Sequence, residues 1–334
     1  MLSGLFPFNL RDMDLCIINQ FFNLPEGRFT THEYLKKSMM KVVQTFWSGR
    51  KNPLEDGYGW PGPGFNLMSW ALSCMTLKEN YDEVVLYTDS AGYTVFHDML
   101  ELPYTRYEVL YDHIRCKTNH WAYPKLLTYS LQEKPFIHVD GDVFLSGRLK
   151  PETESGELIA QNLETGTSYY KAMMEGIMKK PVIIPDILYE AITRDSIPSY
   201  NAGVIGGNDI GFIREYCRTA FEFIDSNRLN DPENEYSNVN LNILFEQILF
   251  HALAAKHHKK VATVIDHPVA DNGYLYDEFC DFNRFGQYSL MHIIGGHKRN
   301  PLICHLLRSL LRKKYPETAG RIQQLDFQNR LINQ

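Results

Sequence analysis

No apolar run in this chain of 334 residues reaches the roughly 18 residues that a membrane-spanning helix requires. The first stretch, up to Cys16, carries Arg11, Asp12 and Asp14 where a secretory leader would stay apolar. Positive charge is also scarce: 34 Lys and Arg against 40 Asp and Glu leave a formal charge of −6. That balance argues against nucleic acid as a partner, because neutralising phosphates takes clustered basic side chains. The six cysteines (Cys16, Cys74, Cys116, Cys217, Cys280 and Cys304) form no C-x-x-C pair. Scattered in this way, they read as reduced, mostly buried thiols in a cytoplasmic protein. Repeats and low-complexity tracts are missing as well.

What is present is an ordinary globular composition, 44% apolar and 22% charged, with an aromatic fraction of 13%. Aromatic side chains in that number suit stacking on flat ligands or sugars, and suit a packed core equally well. Residues 1–39 lack a clear period and read as an N-terminal extension, 40–300 as the main domain, and 301–334 as a helical tail.

Strand character runs over Lys41–Trp47, Glu83–Asp89, Tyr107–Tyr111 and Pro135–Asp140. Helical patterns occupy 66–80, 91–101 and 120–132 between those runs. Strands alternating with helices predict β-α-β units and a mainly parallel α/β sheet. Short apolar runs such as Val84-Val-Leu86 fit strands covered on both faces. Further strands are expected over Pro181–Pro185, Ala202–Ile205 and Val261–Ile265, and a long helix over about 237–256. The loop 57–65 is dense in glycine and proline, which break helix and strand alike. In the tail, Leu302, Ile303, Leu306, Leu307, Leu310 and Leu311 recur at helical spacing.

In open α/β sheets ligands bind beyond the carboxyl ends of the strands. Phe136-Ile-His-Val-Asp140-Gly-Asp142 therefore delivers two carboxylates, one glycine apart, to the binding edge. Adjacent acids repel unless a cation or partner neutralises them, although D-G-D is also sound turn chemistry. Hard oxygen ligands in this arrangement suit Mg²⁺ or Mn²⁺. Far downstream, Met291-His292-Ile-Ile-Gly295-Gly-His-Lys298 offers a nitrogen ligand, which favours Mn²⁺ over Mg²⁺. Gly295 and Gly296 would let backbone approach a phosphate, and Lys298 adds a compact positive charge. Together these elements describe a cation and a diphosphate.

The combination of D-x-D after an apolar strand, then N-A-G-V, then H-x-x-G-x-x-K resembles the retaining glycosyltransferases of the GT-A fold, especially family eight. The resemblance spans roughly residues 40–300. It implies a GT-A, Rossmann-like, mainly parallel sheet, and Asp140, Asp142 and His292 as ligands of Mn²⁺, with Gly295 and Lys298 on the donor diphosphate. It also implies that Asn201, in Tyr200-Asn-Ala-Gly-Val204, lies near the transferred sugar or the acceptor. The family's acidic pair on a helix is matched by Glu246-Gln247, making Glu246 the expected nucleophile or stabiliser and Gln247 its alternative. The family's upstream basic residue is matched by Lys125. The usual K-P-W ending is replaced by Lys298-Arg-Asn300, with proline at 301.

The expected reaction is sugar transfer from a nucleotide-sugar, chiefly a UDP-sugar, with retention. The acceptor is open: glycan, lipid-linked sugar, peptide or small molecule. Thr45, Phe46, Trp47 and Asp89 are placed to meet the nucleotide base or ribose. The loop 57–65, with Trp60, would serve as a donor lid or simply cover the surface. The tail over 302–314, with Arg308, Arg312, Lys313 and Lys314, would either pack on the core or touch a membrane surface. Two other readings use the same site: a sugar-phosphate nucleotidyltransferase, and a nucleotide-sugar-binding protein without turnover.

Overall fold

The strands are short: β1 (Lys41–Thr45), β2 (Val84–Thr88), β3 (Arg106–Val109), β4 (Phe136–Val139), β5 (Val143–Leu145), β6 (Leu158–Ala160), β7 (Leu163–Glu164), β8 (Ser199–Tyr200), β9 (Val204–Gly207), β10 (Val261–Thr263) and β11 (Leu290–His292). They come from a computed structural model that describes residues 40–332 except 166–167, 232, 234–239, 271–279, 281, 283–284 and 288. The extension over 1–39 lies outside the described residues. Seven strands make one sheet in the order β10-β6-β9-β4-β1-β2-β3. β1 runs parallel to β2 and β4, β2 to β3, and β6 to β10. β9 runs antiparallel between β4 and β6. The result is the mixed, mainly parallel α/β sheet that the sequence predicts. Two ribbons, β5–β11 and β7–β8, stand apart from it.

Alternation along each strand divides the core into two layers. Val42, Leu86 and Ile137 face one cluster, and Val43, Val85 and Phe136 face the other. The first face is covered by α1 (Pro63–Asn80), through Leu67, Trp70, Cys74 and Leu77. The second carries α2 (Ala122–Ser130), α3 (Ser168–Met178), α4 (Ile210–Ser226) and α5 (Leu249–Lys256). Each fully buried Val, Leu or Phe contributes roughly 1.5–3 kcal/mol, which makes this covering the main source of stability. The expected helix 91–101 begins as Ser90–Tyr93 and widens into a π-turn over Thr94–Met99. Of the helix expected over about 237–256, residues 237–239 lie outside the described set; a π-turn, Leu244–Ile248, leads directly into α5. α1 starts at Pro63, inside the glycine- and proline-rich loop, because proline at the first helical position has no N–H to leave unsatisfied.

One expectation needs correction. Pro181–Pro185 is not a strand: it is irregular chain leading into the helix Asp186–Ile192. Asn227 satisfies that chain, donating to the Ile183 carbonyl (2.8 Å) and accepting from its N–H (2.7 Å), where a neighbouring strand would otherwise do so. The tail forms α6 (Pro301–Lys314) and α7 (Pro316–Ile332), which pack against each other and against α1. Ile303, Leu307 and Leu311 are buried there. The stripe expected to face either core or membrane over 302–314 is thus committed to the core. Among the described residues no helix is long and apolar enough to cross a membrane. Cys74, Cys116, Cys217, Cys280 and Cys304 are all free and buried.

Candidate metal centre

β4 ends at Val139, and the next residues turn sharply at the carboxyl edge of the sheet. Asp140 donates its N–H to the Gly203 carbonyl (2.9 Å), so the N-A-G-V segment fixes the first aspartate. Gly141 lies against the Trp70 ring, where a Cβ would come within 2.3 Å of ring carbon. Only glycine fits between the two acids. β5 starts immediately after Asp142 and pairs antiparallel with β11, setting His292 opposite Val143. The Ile293 N–H bonds the Asp142 carbonyl at 3.0 Å. That register brings a histidine from the far end of the chain beside the acids.

Ligand-type atoms of Asp140, Asp142 and His292 all lie within 4.8 Å of one another. His292 Nε2 is 3.5 Å from Asp142 Oδ1, beyond hydrogen-bond range, while its Nδ1 meets Gln161 Oε1 at 2.8 Å. The Gln161 amide nitrogen donates to Asn162 Oδ1 (3.1 Å), which leaves Oε1 to accept from Nδ1–H. The Nε2 lone pair is then turned towards the acids, as in metal sites where a polar partner fixes the imidazole tautomer. Gly203 makes this pair possible: a Cβ there would lie 2.3 Å from Gln161 Oε1 and 2.7 Å from His292 Nδ1. Two carboxylate oxygens and an imidazole nitrogen form a chemically sound donor set for a divalent cation.

Burial acts against the charge on Asp142, but Lys298, with Nζ 2.6 Å from Oδ2, holds its carboxyl well below the usual range. Asp140 is shifted upward, chiefly by burial and then by Asp142, with Lys125 opposing. Lys125 Nζ lies 2.9 Å from Asp140 Oδ1 and 2.9 Å from Glu246 Oε1. Burial opposes its charge, yet the two carboxylates more than compensate and raise its pKa. Glu246 is pushed up to about 7 by burial, with Asp140 adding and Lys125 opposing.

A cavity of about 1060 Å³ opens over these groups. Asp140, Asp142, His292, Lys125, Gly295, Lys298, Asn201, Gln247, Thr45, Phe46 and Trp47 all line it. Gly295 adopts a left-handed φ of 52° at the start of the 3₁₀ turn that carries Lys298. Asn201 accepts from the Gly203 N–H (2.9 Å) and donates to Glu164 (3.0 Å). Trp60 lines the cavity too, but its ring is buried in the core, which anchors the loop 57–65.

Two expected site residues are absent from the cavity wall. Glu246 is fully buried beneath Lys125; its Oε1 takes Lys125 and the Tyr129 hydroxyl (3.0 Å). It is a counter-charge to Lys125 in the core. Asp89 caps the helix Ser90–Tyr93 through the Gly92 N–H (2.9 Å) and holds the Ser48 N–H (2.8 Å). Backbone donors occupy both of its oxygens. Phe46 reaches the cavity only at its edge, its ring packed against Tyr58, Trp70 and Phe96.

In place of Glu246 the wall carries Glu164, which the sequence reading overlooked. Its carboxylate is held by Asn201, by Ser199 Oγ (2.8 Å) and by the Tyr170 hydroxyl, whose oxygen also lies 3.0 Å from the Gln247 side-chain amide. Glu164 sits in a two-residue strand, too short for any hydrophobic period to reveal.

Fold and site together define an α/β protein with a candidate divalent-cation centre at the carboxyl edge of its sheet, facing a cavity of ligand size. The chain belongs to DUF6734, a family of unknown function, whose pattern it matches over residues 40–325. No curated protein matches it.

Proposed function

We propose that this protein is a metal-dependent glycosyltransferase that moves a sugar from a nucleotide-sugar, chiefly a UDP-sugar, to an acceptor with retention. The reading is carried by one observation: Asp140, Asp142 and His292 converge with Lys298 on one edge of the cavity. Asp140, Asp142 and His292 would hold Mn²⁺ or Mg²⁺. When bound, the ion supplies Lewis acidity and charge neutralisation to a departing diphosphate, several kcal/mol where water is excluded. Lys298 turns from Asp142 to the diphosphate oxygens, and Gly295 lets backbone approach them.

Asn201, which lines the same cavity, meets the transferred sugar. With Glu246 buried in the core and both Glu164 oxygens held by Asn201, Ser199 and Tyr170, attack comes from the same face as departure. The acceptor oxygen bonds to the anomeric carbon. The carbon–oxygen bond to the diphosphate breaks, its electron pair leaving on that oxygen, and the acceptor proton passes to a leaving phosphate oxygen. Thr45 and Trp47, at the end of β1, meet the base.

A thermal-shift screen of nucleotide-sugars with and without Mn²⁺ tests the reading. A Mn²⁺-dependent shift with a UDP-sugar is expected, and Asp142→Ala should abolish it. Equal shifts in both proteins would remove the metal site from the account. Slow release of UDP on adding Mn²⁺ separates an enzyme from a binding protein. Pyrophosphate formed from a sugar phosphate and a nucleoside triphosphate would point to a nucleotidyltransferase instead.

A further inference from the structure

Trp121 and Tyr169 are 43% and 55% exposed, yet both line the cavity. Single exposed aromatics are ordinary on a protein surface; two on the wall of one cavity mark a contact surface. They come from separate elements, Trp121 immediately before α2 and Tyr169 within α3. Asparagines from a third segment tie them to one rim. Asn240 donates to the Tyr169 hydroxyl (3.2 Å), and its Oδ1 accepts from Asn242 (2.9 Å). Asn242 in turn accepts from the Ala122 N–H (3.0 Å) and donates to the Asn119 carbonyl (2.7 Å), on either side of Trp121. The Lys125 ammonium stands 5.2 Å from the centroid of the Trp121 ring and backs it.

We propose that this rim is the acceptor subsite and that it takes a saccharide, a reading that rests on the glycosyltransferase function above and names its second substrate. A pyranose has a flat face of C–H bonds and an edge of hydroxyls. Aromatic faces fit the first, and planar amides and carboxylates fit the second. Both kinds of surface are here: Trp121 and Tyr169, and Asn240, Gln247 and Glu164, all line the same cavity. A lipid chain would want a continuous apolar wall, which the amides interrupt. A nucleobase would meet Trp47, just past β1, in the same cavity.

Saturation-transfer NMR on the whole chain with UDP and Mg²⁺ tests this, using maltose, cellobiose, lactose and diacetylchitobiose as probes. At least one should bind saturably. Trp121→Ala and Tyr169→Ala should each weaken it by about tenfold, while Trp121→Phe and Tyr169→Phe should stay within about threefold. The thermal shift given by UDP and Mg²⁺ should persist in all four variants. No saccharide bound at about 50 mM, with the UDP shift intact, overturns the subsite and leaves the transferase reading standing. Loss of the UDP shift in Trp121→Ala assigns that ring to the nucleotide and also overturns it. Binding to phosphatidylglycerol vesicles without any saccharide binding does the same. Absence of the UDP shift from the unmutated protein sinks the transferase reading itself.

Discussion

Gly203 shows how a single residue governs the site. Its missing side chain leaves room for the Gln161–His292 hydrogen bond, with a substituted Cβ falling 2.3 Å from one partner and 2.7 Å from the other. Gly203→Ala should push that pair apart and turn the imidazole from Asp142. Because partners that orient a ligand typically govern metal affinity about 10- to 100-fold, Mn²⁺ binding should weaken by that order while the sheet survives. Titration calorimetry with Mn²⁺ on the folded variant checks it. Unchanged affinity would mean that His292 is not a ligand. At this scale the sequence was partly legible. D-G-D and H-x-x-G-x-x-K name their metal-ligand residue types directly, whereas Glu246 and Glu164 look alike as letters and differ only in which one the fold buries beneath Lys125.

Among the elements, α6 is the clearest case of a pattern whose helix was readable and whose partner was not. Leucines at helical spacing specify an apolar face, but the same face serves a core or a membrane surface. In the fold Leu307 is fully buried and Leu302 is 62% exposed. Leu307→Ala should therefore cost about 2–5 kcal/mol in denaturant unfolding, and Leu302→Ala less than about 0.5 kcal/mol. Equal effects would show that α6 does not pack on α1 as described. The strands missed in the sequence, β5 to β8 and β11, have two or three residues each. Alternation needs about four residues to register, so these short strands leave no readable period, although they carry His292 and Glu164.

Across the whole molecule, pH stability carries a distinct signature from His120. This imidazole is 1% exposed, and neither ring nitrogen has a hydrogen-bond partner among the described residues. Burial, with Lys117 adding, pushes its pKa down to about 4 from an ordinary 6.5. The unfolded chain therefore binds a proton that the folded protein refuses. Stability should fall as pH drops from about 6.5 to about 4, be untouched by this group above that window, and lose nothing more to it below. Urea unfolding of the wild type and His120→Leu across those pH values checks the sign. The wild type should lose stability more steeply, and parallel curves would show that the ring is not held neutral.

The sequence alone determined the class of fold and the chemical types at the site, because alternation, breakers and D-G-D act locally along the chain. Only the tertiary structure decided which of those groups meet. The β5–β11 register sets His292 beside Asp142, burial under Lys125 takes Glu246 out of reach, and β7 brings in Glu164. Those outcomes depend on pairings between segments distant in the chain, and no local pattern encodes them.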